Sequence, residues 1–326
     1  MEKIEVKKMG HTLNHEKQIQ DFEDTLDKLK IHQKDVATPD KQEVALLEKK
    51  LMDLKKKVYS ALTPWERVAI SRHPNRPHSL DYIKMICSSF EEVYGDRLYR
   101  DDSAIIGGLG IIGGEKFIII AQEKGHDTES RLRRNFGMPH PEGYRKAQRL
   151  MKMAEKFNLP VLCLVDTPGA HPGLEAEERG QGRAIADNLF VMARLKTPII
   201  VAIIGEGCSG GALGIGIGDR VAMFEHSYYS VISPEGCASI LWKDSSMKER
   251  AAEALKMHAE DLLHLGVVDA MIKEPLGGAH HEHQTAANNL KEYILSSLVN
   301  IKALTTDQML EERYNRFRRL GEFQEL

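Results

Sequence analysis

Hydrophobic positions recur every three or four places across the first 62 residues. Ile19, Phe22, Leu26 and Leu29 form one run, and Val44, Leu47, Leu51, Leu54 and Val58 form a second. That spacing puts the apolar side chains on a narrow helical stripe, close to a coiled-coil seam. Between the runs, Thr38 before Pro39, or Asp40 with Glu43 three places on, offers a helix N-cap. The segment therefore predicts a helical hairpin, whose stripe could equally pack on its own domain or meet a partner. Thr63-Pro64-Trp65-Glu66 opens a short helix that stops before His73-Pro74, and a further helix is expected from about Leu80 to near Gly95.

From Ser103 the pattern changes. Residues 103–112 and 116–122 read as two strands around a Gly113-Gly114 turn. A unit then repeats. A helix over about 143–157 leads through Leu159-Pro160 to the unbroken apolar run 161–165, which ends in Asp166-Thr167-Pro168-Gly169. A second helix, about 177–195, leads through Thr197-Pro198 to the run 199–204, which ends in a glycine-rich loop over 205–211. Unbroken apolar strands are buried on both faces, and their alternation with helices implies a layered α/β core. Such folds place chemistry in the loops at strand ends. From about Met247 the chain reads as mostly helical, with a break at Gly277-Gly278.

Composition narrows the class. The 326 residues are 42% hydrophobic and 29% charged, as in a soluble globular protein of one large domain or two. Lys plus Arg is 45 against 48 for Asp plus Glu, so no whole-chain nucleic-acid binder is indicated. The four Cys (87, 163, 208 and 237) contain no CxxC pair, which excludes a zinc ribbon built on cysteine pairs and argues against a disulfide framework. No apolar stretch approaches the roughly 20 residues that span a bilayer. The basic N-terminus lacks a following apolar core, so a cytoplasmic protein is expected.

The glycine-rich loop fits rival motifs. Gly205, Gly207 and Gly210 match a dinucleotide fingerprint with Glu225 as its ribose acid, yet the glycine-rich stretch 211–218 is short for a crossover helix. Gly207-Cys208-Ser209-Gly210-Gly211 matches a GxSxG nucleophile elbow, with His258, His264 and Asp261 or Asp269 as triad candidates for a serine hydrolase. A Walker A loop fails, because Gly210 is followed by Gly211-Ala212. Backbone N–H groups at Gly210 and Gly211, opening a helix, could instead form an oxyanion hole. His280-His281-Glu282-His283 suggests a metal, but neighbouring residues do not share a helix face, so the run is expected on the surface and no metal site is assigned.

Several segments carry a resemblance: residues 90–97, 134–147 (Arg-Asn-Phe-Gly-Met-Pro-His-Pro onward), 166–170, 205–213, 229–236 and 276–280. From about Leu26 to Arg319 the chain resembles the alpha subunits of bacterial acetyl-CoA carboxylase carboxyltransferase. The resemblance implies a crotonase-like α/β fold of repeated ββα units, expected over 63–300; the N-terminal hairpin (1–62), from its seam, is expected as an interface element, with a helical tail over 301–326. It implies transfer of a carboxyl group from carboxybiotin, on a biotin carboxyl carrier protein charged by biotin carboxylase, to acetyl-CoA, giving malonyl-CoA for fatty acid synthesis. Two alpha and two beta subunits are expected, with zinc only in beta. The family's oxyanion-hole glycines fall on Gly210 and Gly211, which would face the biotin ureido oxygen. Gly207, Ser209, Ala212, Gly169 and Ala170 are expected around biotin. Lys124, Arg131, Arg133 and Arg134 form a basic segment expected either to meet CoA phosphates or a partner, or to be a solvated helix face. Cys208 stands where the family commonly has glycine, and a packing effect alone is expected.

Overall fold

The computed structural model describes residues 12–34 and 41–321. The alternative caps at Thr38 and Asp40 lie outside the described residues. Helices α1 (Lys17–Lys34) and α2 (Lys41–Ser60) make the expected hairpin, followed by α3 (Pro64–Ser71) and α4 (Ser79–Ile86). Thr63 caps α3, accepting from the Glu66 N–H while Glu66 reaches back to the Thr63 N–H. The hairpin seam faces its own chain: Leu51, Leu54 and Val58 pack with Ile19, Tyr59 and the buried Ile70 of α3.

One expectation fails just after this. The predicted helix from Leu80 stops at Ile86, and β1 (Cys87–Glu92) follows. β1 pairs antiparallel with β2 (Ile105–Ile112), which pairs with β3 (Glu115–Gln122) across the Gly113-Gly114 turn. After α5 (Thr128–Arg133) and α6 (Pro141–Lys156) comes β4 (Val161–Thr167), then α7 (Leu174–Glu178), α8 (Gln181–Arg194) and β5 (Ile199–Cys208). The five-residue α9 (Ser209–Leu213) leads to β6 (Arg220–Phe224), β7 (Tyr228–Ser230), α10 (Pro234–Trp242), α11 (Lys248–Ala254), α12 (Ala259–His264), β8 (Ala270–Ile272), α13 (His283–Lys302) and α14 (Thr306–Arg318).

The sheet runs β1-β2-β3-β4-β5-β6-β8, parallel from β3 onward. Successive side chains of a strand point to opposite faces. Ile119, Leu162 and Ile200 therefore join one core with Tyr82 of α4 and Leu290, Ile294 and Leu298 of α13. Ile118, Ile120, Val161 and Val201 join another with Leu150 and Met151 of α6 and Met192 of α8. The sheet is thus covered on both sides, which explains why its strands read as continuous apolar runs.

Strand β5 forks at its C-terminal end. Residues 200–203 pair with β6, but Glu206, Gly207 and Cys208 pair with Tyr228, Tyr229 and Ser230 of β7. The predicted loop over 205–211 is therefore strand as far as Cys208 and helix from Ser209. At the other end of β5, where Ile199 begins the strand, the C-terminal helix α14 is pinned by a buried arginine. Arg313 holds both carboxylate oxygens of Asp219 at 2.7 Å and donates to the carbonyls of Met192, Leu195 and Thr197.

Candidate functional site

At the strand-to-helix junction Ser209 is exposed and left-handed (φ 59°), as a nucleophile elbow requires. The rest of a triad is not there. His264 lies on the exposed end of α12. His258 is buried, which lowers its pKa to about 4, and neither ring nitrogen bonds a side chain. The Asp269 carboxylate accepts from the Val221 N–H and from Arg316. The dinucleotide reading fails as well: Gly205 and Gly207 sit inside β5, and Glu225 pairs with Lys273 at 2.9 Å.

The structure does bring the predicted glycines together. A β-carbon on Gly211 would overlap the Gly169 carbonyl carbon and the Ala170 nitrogen, so the two loops touch through bare backbone. Thr167 fixes the Gly169 turn, its hydroxyl accepting from the Gly169 N–H at 3.0 Å and lying 2.6 Å from the Gly137 carbonyl. Gly210 is open: a β-carbon there would meet only Ile185, at 3.6 Å. As residues of the first turn of α9, Gly210 and Gly211 have N–H groups outside the intrahelical ladder. Ser209 and Gly210 border a cavity of about 510 Å³ whose walls include Leu213, Tyr229, Val231 and Phe317. Ala212 and Gly207 are buried behind this edge.

On the other side of the β5 end lies an ionic pocket of about 240 Å³, lined by Arg72, Lys124, Arg131, Phe136 and Glu206 among others. Lys124 reaches Asp166 at 2.6 Å and Glu206 at 2.5 Å. Glu206 also bonds Arg72 at 2.6 Å and Tyr228 at 2.7 Å, and Arg72 pairs with Glu235. Burial works to raise the Glu206 pKa, but the Lys124 and Arg72 charges outweigh it and hold the carboxyl at about 2. This corrects the grouping of Lys124 with the arginines: its charge is neutralised within the chain. Arg131 and Arg134 donate to the carbonyls of Gly125 and Ser103 instead, while Arg133 is exposed.

The histidine run needs a second correction. His280 is buried, not on the surface, and its Nε2 lies 3.1 Å from Glu16 Oε1; His281 Nε2 lies 3.2 Å from the same oxygen, to which Tyr59 also donates. Sequence reasoning also missed Arg72, Gln122 and Glu206. Two of these gave a signal: Gln122 and Glu206 are polar residues that follow the apolar runs of β3 and β5.

Residues 12–321 match the family described as acetyl co-enzyme A carboxylase carboxyltransferase-like. The chain belongs to this family. It is 59% identical over 313 residues to the acetyl-coenzyme A carboxylase carboxyl transferase subunit alpha of Protochlamydia amoebophila, covering 96% of this chain and 99% of that protein. The subunit of the same name from Chlamydia caviae is 58% identical over 95% of each. Among solved structures, a Pseudomonas malonate decarboxylase hetero-tetramer in complex with coenzyme A superposes with a TM-score of 0.58 at 16% identity, covering 73% of this chain and 94% of that one. Transcarboxylase 12S superposes at 0.56 and 19%, covering 68% and 41%. The architecture is the crotonase fold of these carboxyltransferases. Among the described residues no helix is long and apolar enough to cross a membrane.

Proposed function

We propose that this alpha subunit binds the carboxybiotin side of acetyl-CoA carboxylation, at the edge where Gly210 meets the apolar cavity. That edge is the observation that carries the reading. It combines backbone donors, absence of side-chain bulk and about 510 Å³ of space for a fused ring. Carboxybiotin, brought by a carrier protein, supplies an activated carboxyl group. The N–H groups of Gly210 and Gly211 stabilise negative charge that develops on its ureido oxygen as the carboxyl leaves. Ser209, Gly207, Ala212, Gly169 and Ala170 shape the site, and no side-chain nucleophile is needed. The apolar walls keep water from the transferring carboxyl once a partner closes the open side.

That partner is the beta subunit, which holds acetyl-CoA, supplies the second oxyanion hole and carries the zinc; two copies of each chain assemble in the cytoplasm. Arg131, Arg133 and Arg134 contact CoA phosphates or beta. Biotin carboxylase recharges the carrier. The test is reconstitution. The alpha chain alone should form no malonyl-CoA from acetyl-CoA and carboxybiotin, and adding beta should restore it. Malonyl-CoA formation by the pure alpha chain would sink this division of labour.

A further inference from the structure

Glycines are the most flexible residues of a chain, yet an oxyanion hole works only if its donors are fixed before the reaction. The structure shows how the peptide units around Gly211 are held. The Gly210 carbonyl accepts from the Gly214 N–H at 2.9 Å, which fixes the peptide carrying the Gly211 N–H. The next carbonyl, that of Gly211, is released by the helix, because the Ile215 N–H turns to Ala212 instead. Two side chains take it up. Gln122, at the end of β3, donates its amide N–H to the Gly211 carbonyl at 2.7 Å, and the Tyr144 hydroxyl of α6 donates at 3.1 Å. Both residues are fully buried. Gln122 is itself held, since its amide oxygen accepts from the Asp166 N–H at 3.2 Å. Asp166 in turn accepts from the Glu206 N–H and pairs with Lys124.

We infer that Gln122 and Tyr144 are positioning residues for carboxyl transfer, clamping the Gly211 carbonyl so that both peptide planes flanking Gly211 are immobile and its N–H stays aimed. Neither touches substrate; they act through the glycine backbone. The arrangement also gives the ionic pocket a task, because Lys124, Asp166 and Glu206 anchor the far end of Gln122. The inference rests on the oxyanion-hole reading of Gly210 and Gly211.

The test uses the assembled alpha–beta enzyme and compares Tyr144→Phe, Gln122→Met and the double variant with Gly210→Val and Met151→Ala. Met151 is a buried core residue of α6 with no polar contact to the glycines, so it calibrates a purely structural loss. Tyr144→Phe keeps the ring in place and removes only the hydroxyl. Its kcat should fall several-fold, and that of Gln122→Met about tenfold, the scale of one lost hydrogen bond. The double variant should lose more than the product of the two, because each donor partly covers for the other. The KM for acetyl-CoA should not move, and kcat should fall further than in Met151→Ala at equal thermal destabilisation. Unchanged kcat in Tyr144→Phe and in the double variant, or a kcat that follows thermal stability along the Met151→Ala line, would overturn the clamp. If Gln122→Met does not fold, Tyr144→Phe alone still decides. Gly210→Val separates the two ideas. Normal turnover there removes the oxyanion-hole reading and the clamp with it, whereas a large loss there with normal turnover in both Tyr144→Phe and the double variant removes the clamp only.

Discussion

The end of β5 has two unlike sides. Toward Ser209 and Gly210 the wall is mostly apolar, with Ser230 and Arg316 among the few polar side chains, and the N–H groups opening α9 lie at its edge. Toward Arg72, Lys124 and Glu206 the wall is charged, yet each of these three charges meets an opposite charge within 2.6 Å. On the proposed function, the contrast separates chemistry from scaffolding. Backbone donors beside an apolar cavity are strong because little water competes with them. A neutralised ionic cluster has no charge to spare for substrate, but it fixes the strand ends from which the donors project. On the proposed reading, the pocket rich in charged residues is the scaffold and the apolar edge is the site.

The sharpest way to break this contrast is at Gly211. Any β-carbon there overlaps the backbone of Gly169 and Ala170, so Gly211→Ala should lose both thermal stability and turnover, measured together by calorimetry and malonyl-CoA formation. A stable, active Gly211→Ala would show that the two loops do not depend on that contact. Gly210→Val is the cleaner probe, since the space beside Gly210 is open to Ile185. Turnover of the assembled enzyme should fall about a hundred- to thousandfold, the loss seen when one oxyanion donor is disabled, at little cost in thermal stability.

Glu206→Gln tests the ionic side. Removing one partner of a buried ion pair costs about 3–5 kcal/mol, and here the loss should sit at or below the low end, because Lys124 keeps Asp166 and Arg72 keeps Glu235. Stability in urea should drop, with a smaller fall in turnover than Gly210→Val gives. The pH dependence has a definite sign. The folded-state Glu206 carboxyl titrates at about 2, below its ordinary 4.5, so its contribution is complete above pH 4.5 and is lost as pH falls toward 2. Glu206→Gln should lack that component of acid destabilisation. Identical acid profiles would mean that Glu206 is not held ionised by its neighbours.

The apolar side was far more legible in the sequence. Val161 to Val165 and Ile199 to Ile204 announce strands buried on both faces, and the glycines after them mark the bare-backbone contact between Gly211 and Gly169. What the sequence hid depends on distant partners. Residues 205–208 look like loop because of their glycines, yet they remain strand because β7 lies alongside. Residues 87–92 continue a helical pattern but become an edge strand because β2 offers its free side. His280 looks solvent-exposed until Glu16, 264 residues earlier, folds against it. Lys124 sits among arginines in the sequence, but only the folded sheet shows the carboxylates of Asp166 and Glu206 around its ammonium.

The smallest expected effect comes from Arg133, the exposed arginine of the basic segment whose Arg131 lines the ionic pocket. Among the described residues it makes no ion pair, so its removal should not affect folding; an exposed substitution of this kind usually stays within about 0.5 kcal/mol. Any change in function then reports on what this segment meets. If the arginines face CoA phosphates, Arg133→Ala should raise the KM for acetyl-CoA a few-fold at unchanged kcat, and added salt should reduce the difference between variant and parent. If they face the beta subunit, the same variant should weaken assembly, seen as a concentration-dependent loss of activity that saturating beta restores. A variant matching the parent in both measurements would leave Arg133 as part of a solvated helix face, and neither side of the β5 end would then owe a binding role to it.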